Sequence, residues 1–123
     1  MKYVDIDIDY HEKPMIRPVV VHQGEEVSFT PANGNVFVLM PNENFDIKDD
    51  GGNPTFSLGG SGLVFMVQQG TSVVLEANQG IEALKENDRY DLIVDYSVAC
   101  IDGSRRVYFA EGGSPPRIII PPR

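Results

Sequence analysis

The most constraining feature of this sequence is a stretch of regular alternation near its C-terminal end. Apolar residues occupy every second position there, namely Leu92, Val94, Tyr96, Val98 and Cys100. A period of two is the side-chain period of a β-strand, so these five side chains share one face of the chain. The alternation predicts a half-buried strand that runs from Leu92 to Cys100.

The rest of the chain consists of short apolar runs that are separated by many of its 12 Gly and 9 Pro residues. Such punctuation is typical of a protein with many turns. Further strands are predicted at Tyr3–Asp9, Met15–Val21, Glu26–Thr30, Val36–Met40, Leu63–Gln68, Thr71–Glu76, Arg106–Ala110 and Arg117–Ile120. The continuous apolar run Val36–Met40 is expected to be buried on both faces. The only helical stretch is Gly80–Asn87. The pattern predicts an all-β Greek-key β-sandwich with one short helix, and a single domain over residues 1–123.

One long polar segment interrupts the strand pattern. Residues Pro41–Gly62 are rich in Asn, Asp and Gly, and a loop of that length in a small domain is often functional. Together with the turns at Asp102-Gly103 and Gly112–Pro116, this loop would form a binding end if the three cluster in space. We therefore expect a binding surface at one end of the sandwich.

Charge narrows the choice of partners. The net charge is −8, and affinity for nucleic acids comes mainly from Lys and Arg, so no nucleic-acid partner is expected. Insertion into a membrane is not expected either, because no apolar run has the length of a membrane span. The acidity favours a soluble protein that is a monomer or a weak homo-oligomer.

Cysteine use and the N-terminal sequence leave the compartment open. The single cysteine, Cys100, excludes a disulfide within the chain, so the fold does not depend on an oxidising compartment. The stretch Met1–Asp5 is too acidic and too alternating for a signal peptide. A cytoplasmic protein and a mature exported domain are both consistent with the sequence.

Three stretches together resemble the cupredoxin family. Val19–Phe29 is similar to the cupredoxin hairpin, in which an apolar strand, a Gly turn and an acidic residue precede an apolar-x-aromatic strand. Tyr96–Cys100 is similar to the strand that carries the copper-binding cysteine. Ala110–Ile120 resembles the final strand after the ligand loop. The resemblance implies a cupredoxin-like sandwich, and an immunoglobulin-like sandwich is the alternative.

The sequence departs from that family at the copper site. A blue-copper centre needs two imidazoles and a thiolate, usually with a weak axial Met. The family takes its second His and its Met from the segment after the cysteine, but no His or Met follows Cys100 in this chain. The two histidines, His11 and His22, both come early, and the stretch Met40–Asn44 lacks the first His. We therefore expect the sandwich without its copper site and without any cofactor.

One segment gathers candidate ligands for a cation. Asp46, Asp49, Asp50 and Asn53 supply hard oxygen atoms within eight residues, and calcium is bound by oxygen ligands. Their spacing does not match an EF-hand loop, so a solvated loop is the favoured interpretation. No metal site is assigned, and these four residues are the candidates if a cation binds.

The sequence favours a non-enzymatic binding or structural module whose protein or small ligand is unknown. The alternative is a metal-binding protein with a non-standard site, with calcium at Asp46–Asn53 or copper through Cys100 and His. A subunit that adds its edge strand to a partner is a third hypothesis.

Cys100 is more consistent with a small buried residue than with a reactive thiol. Because the sequence shows no nucleophile–base pair, no catalytic residue is assigned.

Overall fold

A computed structural model describes residues 1–6, 16–41, 44–58, 62–78, 91–101, 107–109 and 116–122, with the backbone alone considered at 100, 101 and 107–109. The strands are β1 Lys2–Ile6, β2 Val19–Val20, β3 Glu26–Pro31, β4 Val36–Met40, β5 Phe45–Asp49, β6 Thr55–Ser57, β7 Leu63–Val67, β8 Val73–Ala77, β9 Leu92–Asp95, β10 Ser97–Ile101, β11 Val107–Phe109 and β12 Arg117–Ile120. The predicted all-β class is confirmed. The predicted helix at Gly80–Asn87 lies outside the described residues.

The strands form three sheets. A four-stranded sheet has the order β1-β3-β8-β5, a five-stranded sheet has the order β11-β10-β4-β7-β6, and a three-stranded sheet has the order β2-β12-β9. Pairing is antiparallel except between β1 and β3 and between β2 and β12. No helix in the described part of the chain is long and apolar enough to cross a membrane.

The core lies between the four-stranded and five-stranded sheets. Phe29 on β3 packs edge-on against Phe65 on β7, with ring centroids 5.6 Å apart. The same ring packs edge-on against Tyr96 at 5.7 Å. Buried side chains from all three sheets complete this core, among them Ile6, Val27, Val38, Met40, Leu75, Val94, Ile118 and Ile120. Edge-to-face aromatic pairs add about 1 kcal/mol each beyond the burial of their area.

The strongly alternating segment proves to be two strands rather than one. Residues Leu92–Asp95 pair with β12 in the three-stranded sheet, whereas Ser97–Ile101 pair with β4 in the five-stranded sheet. Tyr96 lies at the crossing, and its backbone N–H donates to the carbonyl of Pro116. The alternation continues through the crossing because Val94, Tyr96 and Val98 are all buried.

Two expectations about individual segments were wrong. The predicted loop Pro41–Gly62 contains strands β5 and β6, which pair with β8 and β7 in different sheets. This polar segment is therefore a crossover of the chain from the four-stranded sheet to the five-stranded sheet. Among the described residues of the predicted strand Met15–Val21, which begin at Ile16, only Val19–Val20 form a strand. Pro18 has no N–H to donate to a ladder, which is consistent with a strand that begins at the following residue.

The run Val36–Met40 is buried on one face, not on both. Val36, Val38 and Met40 are buried, whereas Phe37 is 39% exposed and Leu39 is 38% exposed. The inner face of this strand packs on the core, and its outer face has no covering layer among the described residues. An apolar run has the same composition in both situations, so the sequence did not distinguish them.

Candidate functional site

The outer face of the five-stranded sheet is a continuous apolar surface. On β4, Phe37 and Leu39 point away from the core, and they lie opposite Met66 and Val64 of β7 in the strand register. Val64 in turn lies opposite Phe56 of β6, which is 63% exposed. Side chains directly opposite one another in an antiparallel pair share a face and contact each other.

The surface continues in the other direction across β10. Ala99 lies opposite Phe37, and Ser97 lies opposite Leu39. On β11, Phe109 occupies the register position opposite Ala99. The apolar face is defined here by seven described side chains, Phe37, Leu39, Phe56, Val64, Met66, Ser97 and Ala99, and none of them carries a charge.

The outer face of the four-stranded sheet differs from this surface. It is called the acidic face, and five carboxylates define it, namely those of Asp5, Glu26, Asp46, Asp49 and Glu76. Glu26 lies opposite Glu76, and Asp46 lies opposite Glu76 on the other side, so three of these carboxylates form a row across β3, β8 and β5.

One ion pair partly offsets that row. The Nζ of Lys48 lies 3.1 Å from Oε2 of Glu76. The hydrogen bond to Glu76 and the charge of that residue raise the pKa of Lys48 above its ordinary value. Because the lysine is exposed, the pair is screened by solvent.

Two of the four candidate cation residues, Asp49 and Asp50, bond to the backbone of the turn that follows β5. Oδ1 of Asp49 accepts from the N–H of Gly51 at 2.9 Å, and Oδ1 of Asp50 accepts from the N–H of Gly52 at 2.8 Å. Asp46 lies on β5, where its Oδ2 is 3.5 Å from Nδ2 of Asn78. The bonds of Asp49 and Asp50 are typical of Asx turns, in which a carboxylate bonds to the backbone two residues further on.

Asn53 is buried, and both ends of its amide are bonded to the protein. Nδ2 donates to the carbonyl of Asp50 and to Oγ1 of Thr71, each at 2.9 Å. Oδ1 accepts from the N–H of Gln68 at 3.0 Å. Asn53 therefore connects the crossover between β5 and β6 to the turn between β7 and β8. Over the described ranges, no group of three or more His, Cys, Asp or Glu residues could hold a metal ion.

Cys100 lies in the five-stranded sheet, whereas His22 lies in none of the described strands. Cys100 lies on β10 at the register position opposite Val36, whose side chain is buried. His22 is exposed and lies in the turn after β2, where its carbonyl accepts from the N–H of Glu25 at 2.9 Å. His11 and the turns at Asp102-Gly103 and Gly112-Gly113 lie outside the described residues, so the predicted clustering of binding loops stays a prediction.

Tyr96 carries a polar hydroxyl group into the apolar core. Its side chain is 1% exposed, and its hydroxyl has no hydrogen-bond partner. Burial raises the pKa of Tyr96 above its ordinary value. The hydroxyl lies in an apolar core without a neighbouring base, so nothing in the described structure equips it for proton transfer.

A groove of about 290 Å³ runs beside the edge strand β1. Tyr3, Val4, Asp5, Ile16 and Arg17 line it. The carbonyl of Ile6 accepts from the N–H of Ala32 at 2.8 Å, toward the interior of the sheet. Successive residues of a strand direct their backbone N–H and carbonyl groups to opposite sides. The N–H and carbonyl groups of Tyr3 and Asp5 therefore face the groove.

Comparison with known proteins identifies the fold and nothing finer. No family model and no curated protein sequence matches the chain. A solved structure of an amicyanin mutant in its reduced Cu(I) form at pH 4 is similar to it, with a TM-score of 0.50 and 13% identity over 97% of this chain and 80% of that one. A second amicyanin mutant with Cu(I) has a TM-score of 0.47 and 11% identity, over 96% of this chain and 81% of that one.

The fold is cupredoxin-like. This cupredoxin-like chain lacks the copper ligands of that family, since no His or Met follows Cys100 and the only two histidines precede β3. A trigonal blue-copper site needs two imidazoles beside the thiolate, and the residues present do not fit that ion. The apolar face could not be recognised from the sequence, because its residues alternate with core residues that have the same composition.

Proposed function

We propose that this protein is a non-enzymatic, cupredoxin-like module that acts by protein–protein contact through the apolar face. The observation that supports the proposal is the register of that face, in which Phe37, Met66, Leu39, Val64 and Phe56 adjoin one another on three neighbouring strands. Exposed apolar residues that occur singly are ordinary on a protein surface, whereas a contiguous patch of several hundred square ångströms marks an interaction site.

Rigid support adds to the case for this surface. The side chains rise from paired strands whose opposite faces pack on the core, so their positions are fixed before any partner arrives. A preorganised surface loses less conformational entropy on binding than a loop does. The acidic face offers no equivalent, because a row of carboxylates must be desolvated or neutralised before it can be buried.

The proposal is tested with the neutral apolar dye Nile red and native protein at high dilution. We expect enhanced dye emission with the native chain and a large decrease in the double variant Phe37→Thr/Leu39→Thr. Threonine is compatible with a strand. The matched control is Val74→Thr, which removes a partly exposed apolar side chain from the outer face of the four-stranded sheet.

Circular dichroism and a thermal midpoint establish that each variant is folded. Dye emission that is the same in the native chain and in the folded double variant would overturn the proposal. Equal losses in the double variant and in Val74→Thr would also count against it, because binding would then not be specific to the apolar face.

A further inference from the structure

We infer that the occupant of the apolar face is a second copy of this chain, and that the two copies form a symmetric, reversible dimer by packing sheet on sheet. The inference rests on the proposed function and names its partner. Its physical basis has three parts, which are the relief of the face, the distribution of charge over the molecule and the area available for contact.

The relief of the face suits a two-fold contact. Large side chains project from β4 at Phe37 and Leu39, and small ones lie opposite them on β10, at Ala99 and Ser97. The sheet therefore has a ridge along β4 and β7 beside a shallower row along β10. In a two-fold dimer the same patch meets itself, and a rotation can set the ridge of one copy against the shallow row of the other. Interdigitation of this kind is how two sheet faces pack.

The net charge is −8, and the placement of the carboxylates of the acidic face permits self-association through the apolar face. The carboxylates of the acidic face lie on the outer side of the opposite sheet. Packed sheets lie about 10 Å apart. In a dimer joined through the apolar faces, the two acidic faces are separated by three such spacings, about 30 Å. The Debye length at physiological ionic strength is about 8 Å, so the repulsion between the two acidic faces is screened.

The lack of charge on the face also bears on the identity of the partner. Charged groups at an interface select one partner over others and steer its approach. The seven side chains of the apolar face supply no such selection. A second copy matches the face in chemistry and in extent, and the five described carboxylates of its acidic face lie away from the contact.

The area sets the expected strength. Phe37 is 39% exposed, Leu39 is 38% exposed and Phe56 is 63% exposed. With aromatic side chains of about 200 Å², and with smaller contributions from Val64, Met66 and Ala99, each copy offers roughly 400 Å². A dimer then buries roughly 800 Å² in total, below the range of stable complexes. A weak dimer that dissociates on dilution is therefore expected.

The experiment is sedimentation equilibrium of the full chain over a wide range of concentrations, which measures the weight-average mass. The expected result is a shift of the weight-average mass from 13.6 kDa toward twice that value as the concentration rises. The variant Phe56→Asp adds a charge near the two-fold contact and should weaken the dimer at least about tenfold. The control Ser57→Asp changes the next residue of the same edge strand, whose register partner Leu63 lies on the inner side of β7.

Nile red emission measured on the same samples separates the two proposals. A dimer that dissociates in Phe56→Asp, persists in Ser57→Asp and excludes the dye as it forms supports the inference. A chain that is monomeric at every concentration but binds the dye at the apolar face overturns the second copy and leaves the proposed function standing. A monomer that binds no dye overturns both proposals. A dimer that is equally strong in both variants overturns the inference, because its contact lies elsewhere.

Discussion

The outer faces of the four-stranded and five-stranded sheets differ in charge, although each is the solvent side of paired strands around one core. On the acidic face, Glu26, Glu76 and Asp46 lie side by side in register. On the apolar face, the corresponding neighbours are Phe37, Met66 and Ala99. Like charges directly opposite each other are destabilising by a few tenths of a kcal/mol, so the acidic row is a cost that folding alone does not explain.

The difference shows that the outer face of a sheet can vary in composition while its inner face keeps the same kind of core residues. The inner faces of both sheets contribute similar buried residues to one core, for example Leu75 on β8 and Val38 on β4. Because side chains alternate between faces, each outer face can change without altering the core. One outer face repels copies of the chain by its charge, and the other leaves apolar area for contact.

The largest effect is expected from Gly51→Ala, in the crossover that joins the two layers. Gly51 has φ of +61°, and a Cβ added there would collide with the carbonyl oxygen of Ser72. The strain of the left-handed conformation and the collision together should lower the free energy of unfolding by about 3 kcal/mol. Urea unfolding measures the loss.

The neighbouring glycine is the control for that substitution. Gly52 has φ of +81°, and nothing lies within 4 Å of an added Cβ. Gly52→Ala should cost only the backbone strain, about 1 kcal/mol. Equal losses for the two variants would show that the contact with Ser72 does not restrain the crossover.

Asn53→Ala should have the next largest effect and lower the free energy of unfolding by about 2 kcal/mol, because it leaves the N–H of Gln68 and the hydroxyl of Thr71 without their shared partner. Urea unfolding measures the loss.

Asp46→Ala, at an exposed position on β5, should change the free energy of unfolding by less than about 0.5 kcal/mol. The thermal midpoint of the native chain should be unaffected by excess calcium, since an ion that binds the native state must stabilise it. A rise in the midpoint that Asp46→Ala abolishes would instead support the cation site.

Tyr96→Phe should be neutral or stabilising by up to about 1 kcal/mol at neutral pH, because the buried hydroxyl has no partner to lose. Burial raises the pKa of Tyr96, so above pH of about 10, the ordinary value, the unfolded chain ionises first. Stability therefore falls as the pH rises above about 10. Tyr96→Phe should flatten that decline, whereas Tyr3→Phe, at an exposed tyrosine, should leave it unchanged.

The smallest effect is expected on the acidic face. Glu26→Gln removes one charge from the row with Glu76 and should raise the free energy of unfolding by about 0.3 kcal/mol. Added salt should narrow the gap between variant and native chain, because it screens the same repulsion. Asp91→Asn, which changes an exposed carboxylate just before β9, is the control. A gain of the same size there would mean that the total charge matters and the row does not.

The strand pattern could be predicted well where alternation and turn residues coincide. The predictions at Glu26–Thr30, Thr71–Glu76 and Arg117–Ile120 agree with β3, β8 and β12 to within two residues at each end. Strands β5 and β6 were missed because Asp, Asn and Gly dominate the segment around them, and those residue types favour turns when pairing is not known. The candidate cation residues were a fair inference from composition, but the buried amide bonds of Asn53 depend on a turn 18 residues away.

Alternation and turn chemistry were sufficient by themselves to determine an all-β chain. The resemblance of three stretches to the cupredoxin family, with no His or Met after Cys100, indicated a cupredoxin-like sandwich without the copper ligands. These are properties of residue type and short spacing, which the chain carries in any conformation. Only the tertiary structure decided that Leu92–Cys100 divides between two sheets, and that Phe37 and Leu39 lie outside the core. Both outcomes depend on which distant strands pair and on which sheet face receives a second layer. An apolar side chain has the same identity whether the core covers it or leaves it open to a partner.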